Sequence, residues 1–312
     1  MIDKELIYMF TGILFLLVIS SICGWILNKK IKNESSKQVV KNLNSRIVAW
    51  WWMCAIFALA VLSGGIGSVV LFGLTSFLAL REYITMTPTQ RADHHTLFWA
   101  FLVFIPIQYY LVAVKWYGLF SIFIPVYGFL FIPLRSAIAG KTENFLERTA
   151  KIQWGLMICV YCISHAPALL MLKIPDYEGE NAKLLFYLVF VVQISDVLQY
   201  VFGKTFGKHK IAPNVSPNKT WEGFIGGTLF STIIGGALWW LTPFSLYQAT
   251  AMAFSINLMG FAGGLCMSAI KRDRGIKDFG TMIQGHGGML DRIDSICFAA
   301  PVFFHLTRYY FT

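Results

Sequence analysis

The amino-acid sequence predicts an all-α polytopic membrane protein, from its composition and the spacing of its apolar residues. Of the 312 residues, 56% are hydrophobic and 13% are charged, and the mean hydropathy is +0.61. Soluble domains carry about 25% charged residues. The chain also divides into apolar runs close to the roughly 20 residues that a helix needs to cross a bilayer. We therefore expect most side chains to face lipid or other helices.

About ten transmembrane helices are expected, one for each apolar run. They occupy residues 6–27, 47–63, 67–85, 97–114, 118–134, 152–171, 184–202, 223–242, 249–270 and 293–311. Gly64, Gly65 and Gly67 leave only a tight hairpin between the second and third runs, while Pro125 and Pro133 interrupt the fifth. The first run is long and follows a slightly acidic terminus, so we expect a retained helix rather than a cleaved signal peptide.

The positive charges predict the orientation in the membrane. If the amino terminus lies outside and the sides alternate, all but five of the 26 lysines and arginines fall in inner segments. The five exceptions are Lys4, Lys115, Lys173, Lys183 and Arg308. Lysine and arginine concentrate on the cytosolic side of membrane proteins. Both termini are therefore predicted to lie outside, and we expect the protein to lie in a bacterial inner membrane. The net charge of +10 calls for no nucleic-acid partner.

Two regions are expected within one integrated domain. Residues 1–150 form an amino-terminal transmembrane region with a basic cytosolic loop at 28–46, and residues 151–312 form a carboxy-terminal catalytic region. Residues 93–95, an aspartate and two histidines, are expected to form a solvated loop. His165 is interpreted as a structural residue that satisfies carbonyls freed by Pro167.

Carboxylates in the last inner loop predict a metal site on the cytosolic side. Asp291 and Asp294 are three residues apart at the start of the last apolar run, so a helix would project both from one face. Asp278 precedes them in the same loop. Magnesium prefers one or two carboxylates together with substrate phosphates and water. First-turn acids can instead simply complement the helix dipole, but their clustering favours the metal.

The same loop carries groups suited to binding a triphosphate. Glycines on both sides of His286 let the backbone approach a ligand and direct its N–H groups at oxyanions. These glycines are Gly285, Gly287 and Gly288. Lys271, Arg272 and Lys277 could serve only to fix topology, yet their position beside the acids favours a phosphate clamp.

Two further segments contribute candidates. The inner loop before the eighth run offers a hydroxyl and a cation to phosphate, from Ser216 and Lys219. Asp196 lies inside the seventh run, where an unpartnered charge would be costly. It shares a helical face with Gln193 and Gln199, so it either joins a hydrogen-bond network or, as we favour, contributes to the metal site. The small-residue pairs Gly223/Gly227 and Gly260/Gly264 are expected to bring the eighth and ninth helices together.

These residues carry a resemblance to a known family. The stretch 268–294, S-A-I-K-R-D-R-G-I-K-D-F-G-T-M-I-Q-G-H-G-G-M-L-D-R-I-D, closely resembles the signature of the phosphatidate cytidylyltransferase (CDP-diglyceride synthase) family. The blocks S-P-N-K-T-W-E-G at 216–223 and G-K-x-F-G-K at 203–208, after Asp196, resemble the family's other motifs. The resemblance covers about residues 190–300. Gln284 departs from the pattern, which usually has a small residue or proline there.

The resemblance implies a magnesium-dependent nucleotidyltransferase that joins CTP to phosphatidic acid in the membrane. It implies metal binding by Asp196, Asp278, Asp291 and Asp294. It also implies phosphate binding by Lys271, Arg272, Lys219 and Ser216, with His286 and its glycines positioning the triphosphate. A homodimer is among the states left open.

Other functions were weighed against this one. A transporter would use Asp196 and His165 in an ion pathway, but it does not explain why the reactive residues crowd into two loops. A CDP-alcohol phosphotransferase would need a D-G-x-x-A-R block, which the sequence lacks. A related nucleotidyltransferase that acts on another lipid phosphate stays open.

Overall fold

A computed structural model describes residues 4–30, 34–282 and 287–312, and these residues are overwhelmingly helical. The α-helices are α1 (Lys4–Lys30), α2 (Glu34–Leu62), α3 (Gly64–Thr85), α4 (His94–Trp99), α5 (Ile105–Ala113), α6 (Tyr117–Ile122), α7 (Phe129–Ile138), α8 (Phe145–Leu156), α9 (Ile163–Ala168), α10 (Asn181–Phe206), α11 (Trp221–Ala237), α12 (Leu246–Asp273) and α13 (Leu290–Phe311). Single π-helical turns join α4 to α5, α6 to α7 and α8 to α9, at Ala100–Phe104, Phe123–Gly128 and Met157–Cys162. Short 3₁₀ turns lie at Arg91–Asp93, Leu169–Met171 and Trp239–Leu241.

The helices confirm the all-α polytopic prediction. Within the described residues, eight helical stretches are long and apolar enough to cross a membrane. They are Ile7–Lys30, Val40–Leu62, Gly64–Thr85, Arg91–Ala113, Tyr117–Ile138, Phe145–Met171, Asn181–Phe206 and Leu246–Asp273. The other two predicted spans are helical as well, but α11 has only 17 residues and the first turns of α13 are charged.

Glycine and proline affect the helices differently. Gly64, at φ +78°, begins α3 two residues after α2 ends, so the predicted tight hairpin between these helices is confirmed. The chain stays helical through Pro125, because the π-helical turn around it absorbs the missing N–H donor. The predicted interruption of the fifth span is therefore a local widening rather than a break.

Contacts between distant segments show which helix ends lie together. Glu5 at the start of α1 pairs with Lys183 at the start of α10. At the opposite ends, Arg272 of α12 donates to the carbonyl of Val215, and Glu82 of α3 accepts from the start of α13. The loops that the charge distribution assigns to one side of the membrane thus meet on one side of the bundle.

A small hairpin was missed by the all-helical expectation. Strands β1 (Lys210–Ala212) and β2 (Ser216–Thr220) pair antiparallel between α10 and α11. Pro213 and Asn214 occupy the turn, and these residue types favour turns. Thr220 then caps α11, because its Oγ1 accepts from Gly223 N at 3.2 Å. The hairpin leads directly into a helix and so fixes the place of Lys219.

The small-residue pairs have different partners from those expected. A Cβ added at Gly227 would lie 2.5 Å from Gln199 N, so Gly223 and Gly227 accommodate α10. A Cβ at Gly260 would lie 3.6 Å from the Cβ of Ser295, so Gly260 and Gly264 face α13. The eighth and ninth helices, α11 and α12, do pack against each other as predicted, but the prediction that these glycine pairs join them was wrong.

The two predicted regions share one core. Their boundary at 150/151 falls inside α8, and a single cluster of buried apolar residues contains members from Phe72 to Phe304. The prediction of a solvated segment at 93–95 holds for His94 and His95, which are exposed at the start of α4, but it was wrong for Asp93. Asp93 is 2% exposed and binds the guanidinium of Arg148 through both carboxylate oxygens, at 2.8 to 3.1 Å. Buried His165 donates from Nδ1 to Tyr161 O at 2.8 Å, consistent with a structural role.

Candidate active site

Asp196 and Asp294 meet around one serine, Ser295. Ser295 Oγ donates to Asp196 Oδ2 at 2.8 Å, and Ser295 N donates to Asp294 Oδ1 at 2.8 Å. The close contact of α12 with α13 at Gly260 leaves Ser295 facing α10. An intramembrane aspartate on α10 and an aspartate in the first turns of α13 thereby form one polar centre.

Lys219 brings a positive charge to this centre from the hairpin. Its Nζ lies 3.4 Å from Phe261 O and 4.5 Å from the centroid of the Phe261 ring. A Cβ at Gly264 would lie 3.0 Å from the same Nζ, so the glycine makes room for the lysine. Burial lowers the pKa of Lys219 below its usual value, while Asp196 and Asp294 act in the opposite direction. The lysine is thus within electrostatic reach of both carboxylates.

Asp291 organises the neighbouring loop. Its Oδ1 accepts from Lys271 Nζ at 2.9 Å, and its Oδ2 accepts from Phe279 N at 2.8 Å and Gly288 N at 3.0 Å. The Asp291 side chain is 3% exposed and that of Lys271 is 12% exposed. Because Oδ2 already accepts two hydrogen bonds, only Oδ1 retains a lone pair for another ligand.

Glycine is required where this loop passes Asp291. Gly287 has φ +82°, and a Cβ there would lie 2.9 Å from Asp291 Oδ2 and 3.4 Å from Asp278 Cβ. The backbone of Gly287 therefore passes between Asp291 and Asp278. This arrangement brings Asp278 beside Asp291, although Asp278 itself is exposed.

The other predicted phosphate ligands lie at the edge of the site. Arg272 donates to Val215 O at 3.2 Å and to Ile276 O at 3.1 Å, so in this structure it ties the loop to the hairpin. Lys277 is exposed, and Ser216 is partly buried opposite Ala212 in the hairpin. Gly285 and His286, together with Gln284, lie outside the described residues.

Sequence reasoning missed two residues of the site, Ser295 and Glu82. For Asp196 it left open a hydrogen-bond network with Gln193 and Gln199, but Gln199 donates to Ser195 Oγ at 2.9 Å and Ser295 is the donor to Asp196. Glu82, which binds the amides before α13, was also missed. Its position near the end of an apolar run was the available signal, because an acid there needs partners.

The donor set fits a divalent cation at Asp196 and Asp294. In the described part of the chain, no three His, Cys, Asp or Glu side chains form a metal-binding group. The two aspartates nevertheless present carboxylates to one centre, and a magnesium site commonly uses one or two carboxylates with water and substrate phosphates completing the shell. A two-carboxylate site of this kind would be completed by a phosphorylated substrate.

Together, the bundle and this charged centre define a multi-pass membrane protein with one polar site at the shared ends of its helices. Residues 44–310 match the model of the cytidylyltransferase family. The chain belongs to this family and is a nucleotidyltransferase. Membership overturns the transporter alternative.

Three relatives illustrate the family. The chain is 36% identical to the "Uncharacterized protein YnbB" of Escherichia coli (strain K12), over 99% of each chain. It is 30% identical to the phosphatidate cytidylyltransferase of Staphylococcus aureus (strain COL), over 79% of this chain and 92% of the relative. It is 38% identical to the phosphatidate cytidylyltransferase of Aquifex aeolicus (strain VF5), over 44% of this chain and 52% of the relative.

Proposed function

We propose that the protein is a phosphatidate cytidylyltransferase that converts CTP and phosphatidic acid to CDP-diacylglycerol and diphosphate, in phospholipid synthesis. The observation that carries the proposal is the meeting of Asp196 and Asp294 around Ser295, with Lys219 Nζ and Ser295 Oγ both next to Gly264. This centre combines the carboxylates that a metal–nucleotide complex needs with a cation for phosphate, in a cytidylyltransferase embedded in membrane helices.

The proposed reaction is a direct displacement at phosphorus. A phosphate oxygen of phosphatidic acid attacks the α-phosphorus of CTP, and a new P–O bond forms as the bond from that phosphorus to the bridging oxygen breaks. Diphosphate leaves with the bond's electron pair. Phosphatidate is already an anion at neutral pH, so the step needs no dedicated general base. Its catalysis would come mainly from positioning and charge neutralisation.

Magnesium is the proposed cofactor, held chiefly by Asp196 and Asp294. Once bound, it would neutralise phosphate charge and orient the triphosphate. Asp278 and Asp291 are the further proposed ligands, Asp291 through the remaining lone pair of its Oδ1. The same carboxylate also holds Lys271 and two backbone amides, so it would combine metal binding with loop organisation.

Phosphate binding is proposed for cations and backbone around this centre. Lys219 and Lys271 are the inner cations, each already close to a carboxylate. Arg272, Lys277 and Ser216 would contact outer phosphate oxygens or the lipid headgroup. His286, with Gly285, Gly287 and Gly288, is proposed to position the triphosphate.

The active site is proposed to face the cytosol of a bacterial inner membrane. The positive-inside distribution supports this orientation, and the contacts of Arg272 and Glu82 support a common side for the loops involved. CTP is a cytosolic nucleotide, which agrees with this assignment. Cysteine labelling of 203–209 or 274–278 from the outside of intact cells would contradict it.

An assay with purified protein tests the proposed acceptor. The protein in phospholipid nanodiscs receives CTP labelled at the α-phosphate, magnesium and one lipid phosphate at a time: phosphatidic acid, lysophosphatidic acid or a polyprenyl phosphate. We expect a labelled lipid product with phosphatidic acid. An Asp294→Asn preparation from the same host controls for contaminating enzyme. Label incorporated only into another acceptor would replace phosphatidate as the substrate while retaining cytidylyl transfer.

A further inference from the structure

The start of α13 receives its cap from a helix in the other half of the chain. Met289 N donates to Glu82 Oε1 at 2.9 Å, and Leu290 N donates to Glu82 Oε2 at 2.8 Å. Met289 itself provides no side-chain cap. The first amides of a helix lack intrahelical partners, and a carboxylate is favourable there because it accepts their hydrogen bonds and complements the helix dipole.

The Glu82 carboxylate is also enclosed by two glycines of the active-site loop. A Cβ at Gly288 would lie 2.4 Å from Glu82 Oε2, and a Cβ at Gly280 would lie 2.8 Å from Glu82 Oε1. Either contact is shorter than real side chains allow. The two glycines therefore let one carboxylate from α3 enter between both arms of the loop.

Glu82 and Asp291 divide three consecutive amides between them. Gly288 N donates to Asp291, whereas the next two amides donate to Glu82. The conformation at Gly288 and the starting point of α13 are thus held by two carboxylates from different helices. Asp294 and Ser295 follow within the first two turns of α13, so their placement against Asp196 depends on the same starting point.

We propose that Glu82 is a positioning residue for the cytidylyl-transfer site, a role that rests on the proposed function. It does not contact the reacting phosphates. It holds the amides of Met289 and Leu290 at the start of α13 so that Asp291, Asp294 and the backbone of Gly287 and Gly288 keep the geometry that binds the metal–nucleotide complex.

The test compares Glu82→Gln and Glu82→Asp with Glu143→Gln as a matched control. Glutamine keeps the length, but its carboxamide oxygen replaces only one of the two acceptors and its NH2 group faces the other amide. Aspartate keeps both acceptors and the charge, but it is one methylene shorter. The control removes an exposed acid whose side chain makes no hydrogen bond or ion pair within the described residues, without touching the loop.

We expect Glu82→Gln to lower kcat on the order of 100-fold, as small misplacements of reacting groups do. The KM for phosphatidate should change little, Glu82→Asp should recover part of kcat, and the control should match wild type. A purely structural role would lower the melting temperature while leaving kcat and KM per folded molecule unchanged. That result would overturn the proposal.

Hydrogen exchange of the amides of Met289 and Leu290 separates this inference from the identity of the lipid substrate. We expect faster exchange in Glu82→Gln, intermediate exchange in Glu82→Asp and wild-type exchange in Glu143→Gln. If the wild-type protein does not use phosphatidate, the proposed acceptor is wrong. Altered exchange in Glu82→Gln, together with weakened binding of CTP and magnesium, would still support the positioning role of Glu82. Unchanged exchange and unchanged CTP binding would reject the positioning role whatever the acceptor is.

Discussion

The first two helices are buried against protein to a smaller extent than the helices that follow in the carboxy-terminal half. In α1 and α2, 6% and 17% of the residues in the most apolar stretch are buried against protein, compared with 72% in Phe145–Met171 and 44% in Asn181–Phe206, which is α10. Helices surrounded mostly by lipid can carry few charges within the bilayer, because lipid provides no hydrogen-bond partners. Helices packed against protein can stabilise such groups. Asp196 and Asp294 accordingly lie on α10 and α13, where Ser295 and Lys219 surround them.

The amino-terminal region nevertheless contributes charged residues with defined partners. Glu82 holds the amides at the start of α13, and Asp93 forms a buried ion pair with Arg148. These acids differ from Asp196 and Asp294 in what binds them, since protein donors use both of their oxygens. The comparison predicts catalytic consequences for the aspartates of the centre and positional or structural consequences for the amino-terminal acids.

The largest expected effect is at the aspartate pair. Asp294→Asn and Asp196→Asn should each reduce turnover at least on the order of 100-fold, because an amide keeps the shape but removes charge that stabilises the metal–nucleotide complex. Asp196→Asn should recover partly at high magnesium. Turnover measured against magnesium concentration, with a melting curve on each preparation, checks this. Wild-type turnover of Asp196→Asn with an altered melting temperature would show that Asp196 serves only a hydrogen-bond network of its helix.

Sequence patterns predicted the helical bundle well because lipid imposes a simple rule on span length and polarity. They also selected Asp196, Asp294, Lys219 and Lys271, which the fold gathers at one end of the bundle. They could not identify Ser295 as the link between two aspartates, because that contact joins residues 99 positions apart. The same limit applies to Glu82, which meets residues more than 200 positions away. Asp93 looked solvated because its partner, Arg148, is distant in sequence.

The amino-terminal ion pair should affect stability more than catalysis. Asp93→Asn leaves the Arg148 guanidinium buried without its carboxylate, which costs roughly 3–5 kcal/mol for pairs of this kind. Glu147→Gln is the matched control, because it removes an exposed partner of Lys151, and exposed ion pairs contribute little to stability. Melting temperature in detergent and turnover per folded molecule measure the two effects. A large loss of turnover in folded Asp93→Asn protein would remove the contrast between the regions.

The smallest expected effect concerns a carboxy-terminal acid outside the catalytic centre. Glu222, in the first turn of α11, accepts from Lys208 N at 3.0 Å and from His209 N at 3.2 Å. Its own backbone N–H and then the His209 side chain are the main groups that lower its pKa, from 4.5 to about 2. These bonds join the end of α10 to the start of α11, so Glu222 would stabilise the base of the hairpin.

The pH dependence has a definite sign because the folded-state pKa of Glu222 lies below the unfolded value. Its stabilising contribution should be complete well above pH 4.5 and should disappear as the pH falls toward about 2. Limited proteolysis of 203–220 measures this contribution, with a pepsin-type protease at the acid end of the pH range. Glu222→Gln should be cleaved faster than wild type at neutral pH. The difference in cleavage rate should narrow as the pH approaches 3. Glu178→Gln, an exposed change in another loop, provides the control. If the difference in cleavage rate stays constant through this pH range, the charge of Glu222 does not stabilise the hairpin. If the difference narrows and turnover at neutral pH is unchanged, Glu222 has a structural role that distinguishes it from Asp196 and Asp294.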